Sequence, residues 1–453
     1  MERDWRVRLL VGAVSTLAVV FGLSGTALAH GGALGGGHLS VSRSLAAGTG
    51  GLVVGLSLAV ATLRSERGGL DALSAARRRL SLPGLWTLTR LARAVGVLGL
   101  LAVLVTGVVG PTDPISNPAV VLVWGGWWAG YAMSTYLVGN TWPALNPWRT
   151  VATPLAAVTK TYRWRWGAWP AVAALLALFW VQTVGPLATS PRLLAVVVGT
   201  YSVVTVAGAV VYGPDAWFGE VDPVARAFQW YGLVAPLGRD EGDLVVRAPG
   251  AALAEDPFLG ADDVAFAVAL FWGTVFDGFV TTPLWVRLAN GVAGWGVPPL
   301  VLYGLALLSG FVVCWGLLLL AGRVGSRYLP ESDLPTLLRR VGPGVLAVAA
   351  GYHFAHFFGY FLSLVPALAF SVTAPFAVVD PGLLVLPGWL GALTVVAVFL
   401  GHGIGLVAVR TAMRSLDGTD TTRAQYAFGA VLAGYSLLGL WVATSPELTP
   451  PFL

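Results

Sequence analysis

The chain has 453 residues, of which 56% are hydrophobic and only 11% charged, and its net charge is +5. Soluble domains carry about 25% charged residues, so this composition excludes a globule with one anchor and points to an integral membrane protein of many spans. One cysteine, Cys314, excludes a disulfide framework and a thiolate metal cluster, and the basic residues, all arginine but Lys160, gather into no nucleic-acid patch.

Met1–Ala29 reads as a secretory signal peptide: Arg3, Arg6 and Arg8, an apolar run from Leu9 to Leu23, then the Ala-x-Ala pattern Ala27-Leu28-Ala29. Cleavage there makes His30 the new N-terminus. A glycine-rich exterior segment, 30–44, follows. Ten apolar spans then run at 45–63, 91–110, 119–138, 168–187, 193–213, 264–284, 299–321, 341–364, 389–409 and 423–443. Each is near the ~20 residues that cross the hydrocarbon core as a helix. Lipid offers the backbone no partners, so the expected fold is all-α. It is a polytopic transmembrane helical bundle of about ten spans over 45–443, with a tail at 444–453.

The arginines orient this bundle. Loops after the odd-numbered spans hold 21 of the 27 basic residues, while the other loop set keeps only Arg43, Arg192 and Arg287. The positive-inside rule therefore places the first set in the cytoplasm and both mature ends outside the plasma membrane. One cytoplasmic loop, 214–263, is acidic. Within it Val221, Val224, Ala225, Phe228 and Ala235 recur at helical spacing, which predicts an amphipathic helix lying on the membrane interface. Val365–Pro387 reads as an apolar, proline-containing exterior connection.

Asp277 is the one acid inside a span, and three of the five histidines, His353, His356 and His402, lie inside spans too, while no arginine or lysine lies deep in one. Counted along each span, all lie within ~5 Å of the midplane. Polar groups at that depth are costly and mark function. His353 and His356, three apart, project from nearly one helix face. Imidazole and carboxylate together suit zinc, copper or iron, among which the sequence does not choose. The expected site is an intramembrane transition-metal centre of His353, His356 and His402, with Asp277 as a further ligand or as general base. A bland alternative gives each residue a hydrogen-bonding role between helices. A second candidate ligand pair, His30 and His38, lies outside the spans. Asn140–Arg149, NTWPALNPWR, reads first as part of an interfacial tryptophan belt, with Arg149 able to clamp an anion.

Together, ALAHG at Ala27–Gly31, NPWR at Asn146–Arg149, FDG at Phe276–Gly278, HFAHFF at His353–Phe358, GH at Gly401–His402 and RAQY at Arg423–Tyr426 carry a likeness. In this order they resemble a prokaryotic polytopic membrane family often labelled fenitrothion hydrolase. Where that family's pattern ends the His-pair helix with glutamine, this chain reads Leu362-Ser363-Leu364-Val365. The resemblance implies hydrolysis of a phosphotriester-like, lipophilic substrate, for which a metal would supply a Lewis acid and an activated water. The rival expectations are a transporter, or a metal-handling or non-catalytic subunit docked to a membrane-protein partner.

Overall fold

The computed structural model describes residues 27–28, 40–62, 76–81, 84–156, 167–240, 243–255, 257–329, 332–378, 380–414, 416 and 421–451. The signal peptide, apart from Ala27–Leu28, and both His30 and His38 lie outside them. Ala27–Leu28 (β1) pairs antiparallel with Ser40–Val41 (β2). The described chain is mostly helical, and a helix covers each of the ten apolar segments. These helices are α1 (Arg43–Thr62), α2 (Leu85–Val109), α3 (Pro118–Leu137), α5 (Trp169–Val184), α6 (Pro191–Tyr212), α8 (Ala261–Phe279), α10 (Pro299–Gly325), α12 (Gly344–Ser363), α14 (Gly391–Arg414) and α15 (Thr421–Ala443). Shorter helices intervene: α4 (Pro147–Leu155), α7 (Pro223–Tyr231), α9 (Pro283–Ala293), α11 (Leu334–Val341) and α13 (Val365–Thr373). Local chemistry sets many starts. Asn117, Asn146, Ser190, Asp222, Thr282 and Asp333 each cap a helix with a side-chain oxygen, and each cap is followed within two residues by proline.

Among the described residues six helices are long and apolar enough to cross a membrane: α2, α6, α10, α14, α15 and the α11–α12 unit. The pair α8 and α9 would make a seventh, but it is bent by 81°. The expected span at 264–284 therefore ends early. Thr281 and Thr282 turn their hydroxyls onto Gly278 O and Phe279 O, and Pro283 restarts the chain in a new direction. Asp277 thus stands in the last turn of α8, not at mid-helix. The α5 helix has 16 residues, a length of ~24 Å against a hydrocarbon core of ~30 Å. The α3 helix is interrupted by a ten-residue π-helical stretch, Leu122–Tyr131, a form that collects at functional sites.

Two of the sequence expectations for the loops change. The helix expected to lie on an interface, α7, is buried at every residue except Gln229. It enters the bundle because Ala227, Trp230 and Tyr231 join the central apolar cluster. The acids around it are structural: Asp222 caps α7 and accepts from Tyr201 Oη, while Asp263 pairs with Arg226. The expectation of helices alone also missed a small antiparallel sheet. Arg77–Leu80 (β3) and Leu237–Asp240 (β4) flank Asp243–Arg247 (β5) in the order β3-β5-β4.

The centre belongs to α8, α12 and α15, whereas α2, α6 and α10 turn large apolar side chains outward. Backbone meets backbone where α12 crosses α14. A Cβ on Gly351 would stand 2.6 Å from Ala397 O, and one on Gly401 would stand 2.5 Å from Ala347 O. Small residues allow such close crossings in membrane bundles. Residues after α15 fold back over the α8–α9 bend, where Leu448 N donates to Thr281 O at 2.8 Å and Tyr303 Oη donates to Pro451 O at 2.9 Å. The end of α13 and the connection after it expose Val372, Phe376, Val378 and Val385.

Candidate functional site

The His pair sits on the buried middle of α12, with His353 1% and His356 2% exposed. His356 Nε2 lies 2.9 Å from Asp277 Oδ2, so α12 and α8 are joined by an imidazole–carboxylate bond. Tyr352 stacks on the His356 ring at 5.7 Å. The Asp277 side chain is 23% exposed, so one member of the pair reaches accessible space while the other is enclosed. On its second oxygen Asp277 accepts from Gln182 Nε2 of α5 at 3.4 Å. A partly buried carboxylate is stabilised by such donors, because a bare charge in apolar surroundings is strongly disfavoured.

His353 points to a different set. Its Nδ1 is 3.0 Å from Tyr136 Oη on α3. Aromatic rings enclose it, with centroids at 5.7 Å for Tyr136, 5.7 Å for Tyr231, 6.2 Å for Trp128 and 4.7 Å for Phe357. Tyr231 arrives on the buried α7, and Trp128 on the π-helical part of α3. The two histidines of one helix face therefore serve two partners, a carboxylate and a phenol, in consecutive turns.

His402 belongs elsewhere. Its Nε2 lies 2.9 Å from Ser57 Oγ on α1 and its Nδ1 lies 3.1 Å from Ser436 Oγ on α15. Both ring nitrogens are used, and the residue is fully buried. Either neutral tautomer is satisfied there, because each serine also has a carbonyl one turn back, Val53 O or Leu432 O, to which it can turn its proton. This is a bolt between α1, α14 and α15. Among the described residues no three of His, Cys, Asp and Glu converge closely enough to hold a metal ion. The four intramembrane residues do not fit one metal shell: Asp277 and His356 meet, His353 turns to Tyr136, and His402 is in another seam.

Beside the Asp277–His356 pair lies an apolar cavity of about 440 Å³. Trp124, Trp127, Trp128 and Trp142 line it, together with Gln182, the residue that touches Asp277. Trp128 stands both in the cavity wall and against His353. Sequence reading did not select Gln182, Tyr136 or Tyr231. Gln182 carried a signal, a lone carboxamide near the end of an apolar helix; the tyrosines carried none, since aromatic residues abound in such helices. Comparison with known proteins adds no family to this geometry: no family model, curated protein or solved structure matches the chain.

Proposed function

We propose that the chain is a ten-span protein of the plasma membrane, both mature ends outside, that handles protons at the Asp277–His356 pair while a lipophilic substrate occupies the tryptophan-lined cavity. The observation that carries this reading is the imidazole–carboxylate bond between α12 and α8, with Gln182 linking it to the cavity wall. Histidines and carboxylates at membrane depth are the groups from which proton relays are built. The asymmetry of basic residues between loop sets supports the orientation.

Transport is the first form of this reading. A carrier needs interrupted helices around its substrate. Three interruptions surround this site: the π-helical stretch of α3, the 81° bend after Asp277 and the buried α7. Protonation of the pair would then set which side of the bundle is open.

Hydrolysis is the second form, favoured by the same bond. A carboxylate that orients an imidazole makes it a general base. Here the member that reaches accessible space is Asp277, so its carboxylate, held by His356, would take the proton from a water that attacks the phosphorus of a phosphotriester-like substrate and expels an alkoxide or aryloxide, which then receives that proton. This is the activity implied by the family resemblance. A transition metal, if one is held, would need donors other than the histidines, cysteine and acids of the described residues to complete a shell with Asp277 and His356.

The test is infrared difference spectroscopy of the purified protein, titrated from about pH 4 to about pH 9 across the ordinary carboxylate and imidazole ranges. A carboxylic C=O band and an imidazole ring band that change together, and are both lost in Asp277→Asn, support proton handling. A pair that never changes protonation would remove the reading. Elemental analysis of the same sample tests the metal.

A further inference from the structure

The apolar cavity has a polar neighbour. Across Trp142 lies a second pocket of about 220 Å³, lined by Asn140, Asn146, Arg149, Asp215 and Gln229. Pro147 and Trp148 line the cavity while Asn146 and Arg149 line the pocket, so the two meet at the start of α4. We propose that the two form one site for an amphiphile with an anionic headgroup, the headgroup held at Arg149 and a hydrocarbon chain lying in the tryptophan cavity. This rests on the reading above, because the cavity is where that reading seats its substrate.

Three observations carry the assignment. Among the described residues Arg149 is the one basic residue lining the pocket, and its planar fork suits phosphate oxygens. Its partner, the Asp215 carboxylate, is 92% exposed. Exposed ion pairs are weak, so an anionic headgroup can take Asp215's place. Second, the pocket supplies neutral donors. The Asn140 and Asn146 carbonyl oxygens accept from the backbone amides of Trp142 and Arg149, at 2.9 Å each. That leaves the NH2 end of each carboxamide as its donor side. Third, the cavity is apolar and of a size typical of small-molecule sites. One wall is α2, which turns most of its surface away from the protein, so a chain in the bilayer has a short route inward. A polar pocket alone would suit any small anion, and an apolar cavity alone any oily ligand. Their sharing of Trp142 selects a molecule that is both.

The test uses the full chain, delipidated in mild detergent and weighed by native mass spectrometry after exposure to phosphatidylglycerol, to phosphatidylcholine with the same chains, or to inorganic phosphate. The expected result is one phosphatidylglycerol retained per chain at least about tenfold more tightly than phosphatidylcholine. Arg149→Gln erases this preference while leaving weak retention of both lipids. Gly99→Phe loses both lipids; Gly99 lines the cavity, and a Cβ there meets no atom within 4 Å, so the backbone accepts a side chain at that position. A wild-type chain without preference, or a preference that survives Arg149→Gln, would overturn the proposal. So would inorganic phosphate displacing the lipid as well as phosphatidylglycerol does, which would leave an anion pocket with no chain site. Lipid retention is read at one pH and the infrared titration needs no lipid, so the failure of either proposal is seen without the other.

Discussion

Neutralising Asp263 probes the element that brings α7 into the bundle. Asp263 and Arg226 form an ion pair in which each side chain is 5% exposed. The partners differ in what else holds them. Asp263 also accepts the amides of Leu259, at 2.6 Å, and Gly260, at 3.3 Å, at the N-terminus of α8, where the helix dipole favours a carboxylate. Arg226 has Gly219 O, and its guanidinium lies 5.1 Å from the Trp230 ring and 5.5 Å from that of Phe266. Asp263→Asn keeps an acceptor for the two amides but leaves the buried guanidinium without its counter-charge, which costs about 3–5 kcal/mol. Arg226→Met leaves a carboxylate that is still amide-bonded, and the thioether refills the aromatic slot, so the loss is smaller, about 1–3 kcal/mol. The double variant then loses less than the sum of the two, by about 1–3 kcal/mol. The assay is unfolding of the purified protein by dodecyl sulfate in mixed micelles, followed by tryptophan fluorescence. Equal costs for the two single variants, or strict additivity in the double one, would refute the reasoning. Because α7 carries Tyr231 to His353, the destabilised variants should also alter the His353 ring signal in nuclear magnetic resonance.

His402→Ala should lower stability by about 2–4 kcal/mol through lost packing and two lost hydrogen bonds, with lipid retention and the infrared titration unchanged; a change in either would make His402 part of the functional site. Tyr136→Phe strips His353 Nδ1 of its partner in a buried place and should cost about 1–3 kcal/mol in the same unfolding assay, whereas a neutral effect would mean that His353 turns to another acceptor or donor. Gly351→Leu drives a side chain into Ala397 O and should prevent recovery of a monodisperse protein; normal size-exclusion behaviour would count against the close crossing. Asp333 caps α11 by accepting from Thr336, and that bonding holds its carboxyl below the usual carboxylate range. Its stabilisation is therefore present above the ordinary carboxylate pKa and disappears as pH falls through the lowered value. Asp333→Ala should reduce thermal stability at neutral pH and match the wild type in strong acid, and an equal deficit at both would contradict the cap.

The membrane class and the helix positions were legible because each rests on one-dimensional signals. The run from Leu300 to Ala321 in α10 is apolar but for Ser309, and its length against bilayer thickness is enough to identify a span. What the run length hides is interruption. Leu122–Tyr131 is apolar enough for an α-helix, and nothing in its hydropathy announces a π-helical pitch. Thr281-Thr282-Pro283 did carry a signal, a proline behind a capping threonine, which marks a helix start. Hydropathy averaged across it concealed the bend. The acidic loop was misjudged for another reason. An acidic composition reads as solvated charge, but Asp222 and Asp263 accept from backbone amides and from Tyr201 and Arg226, so they permit burial of α7 where unpaired acids would forbid it.

The division of the histidines follows from the crossing of α12 and α14, and part of it was available in the sequence. Depth along the membrane normal is one coordinate; which residues meet is set by the azimuth of each side chain about its helix. The contact face is marked by Gly351 and Gly401, whose backbones touch. Each residue advances about 100° around a helix. His353, two positions after Gly351, is turned about 200° away from the contact, toward Tyr136 on the far side. His402, one position after Gly401, is turned about 100°, toward the flank where Ser57 and Ser436 wait. His356 stands five positions after Gly351, or about 140° around in net terms, facing α8 and Asp277. His402 thus points away from the pair on α12 because glycines, not histidines, occupy the seam between their helices. With Gly351 and Gly401 in contact, the motif pair Gly-x-His and Gly-His, read as azimuth as well as composition, argues against a ligand shell shared by His402 and that pair.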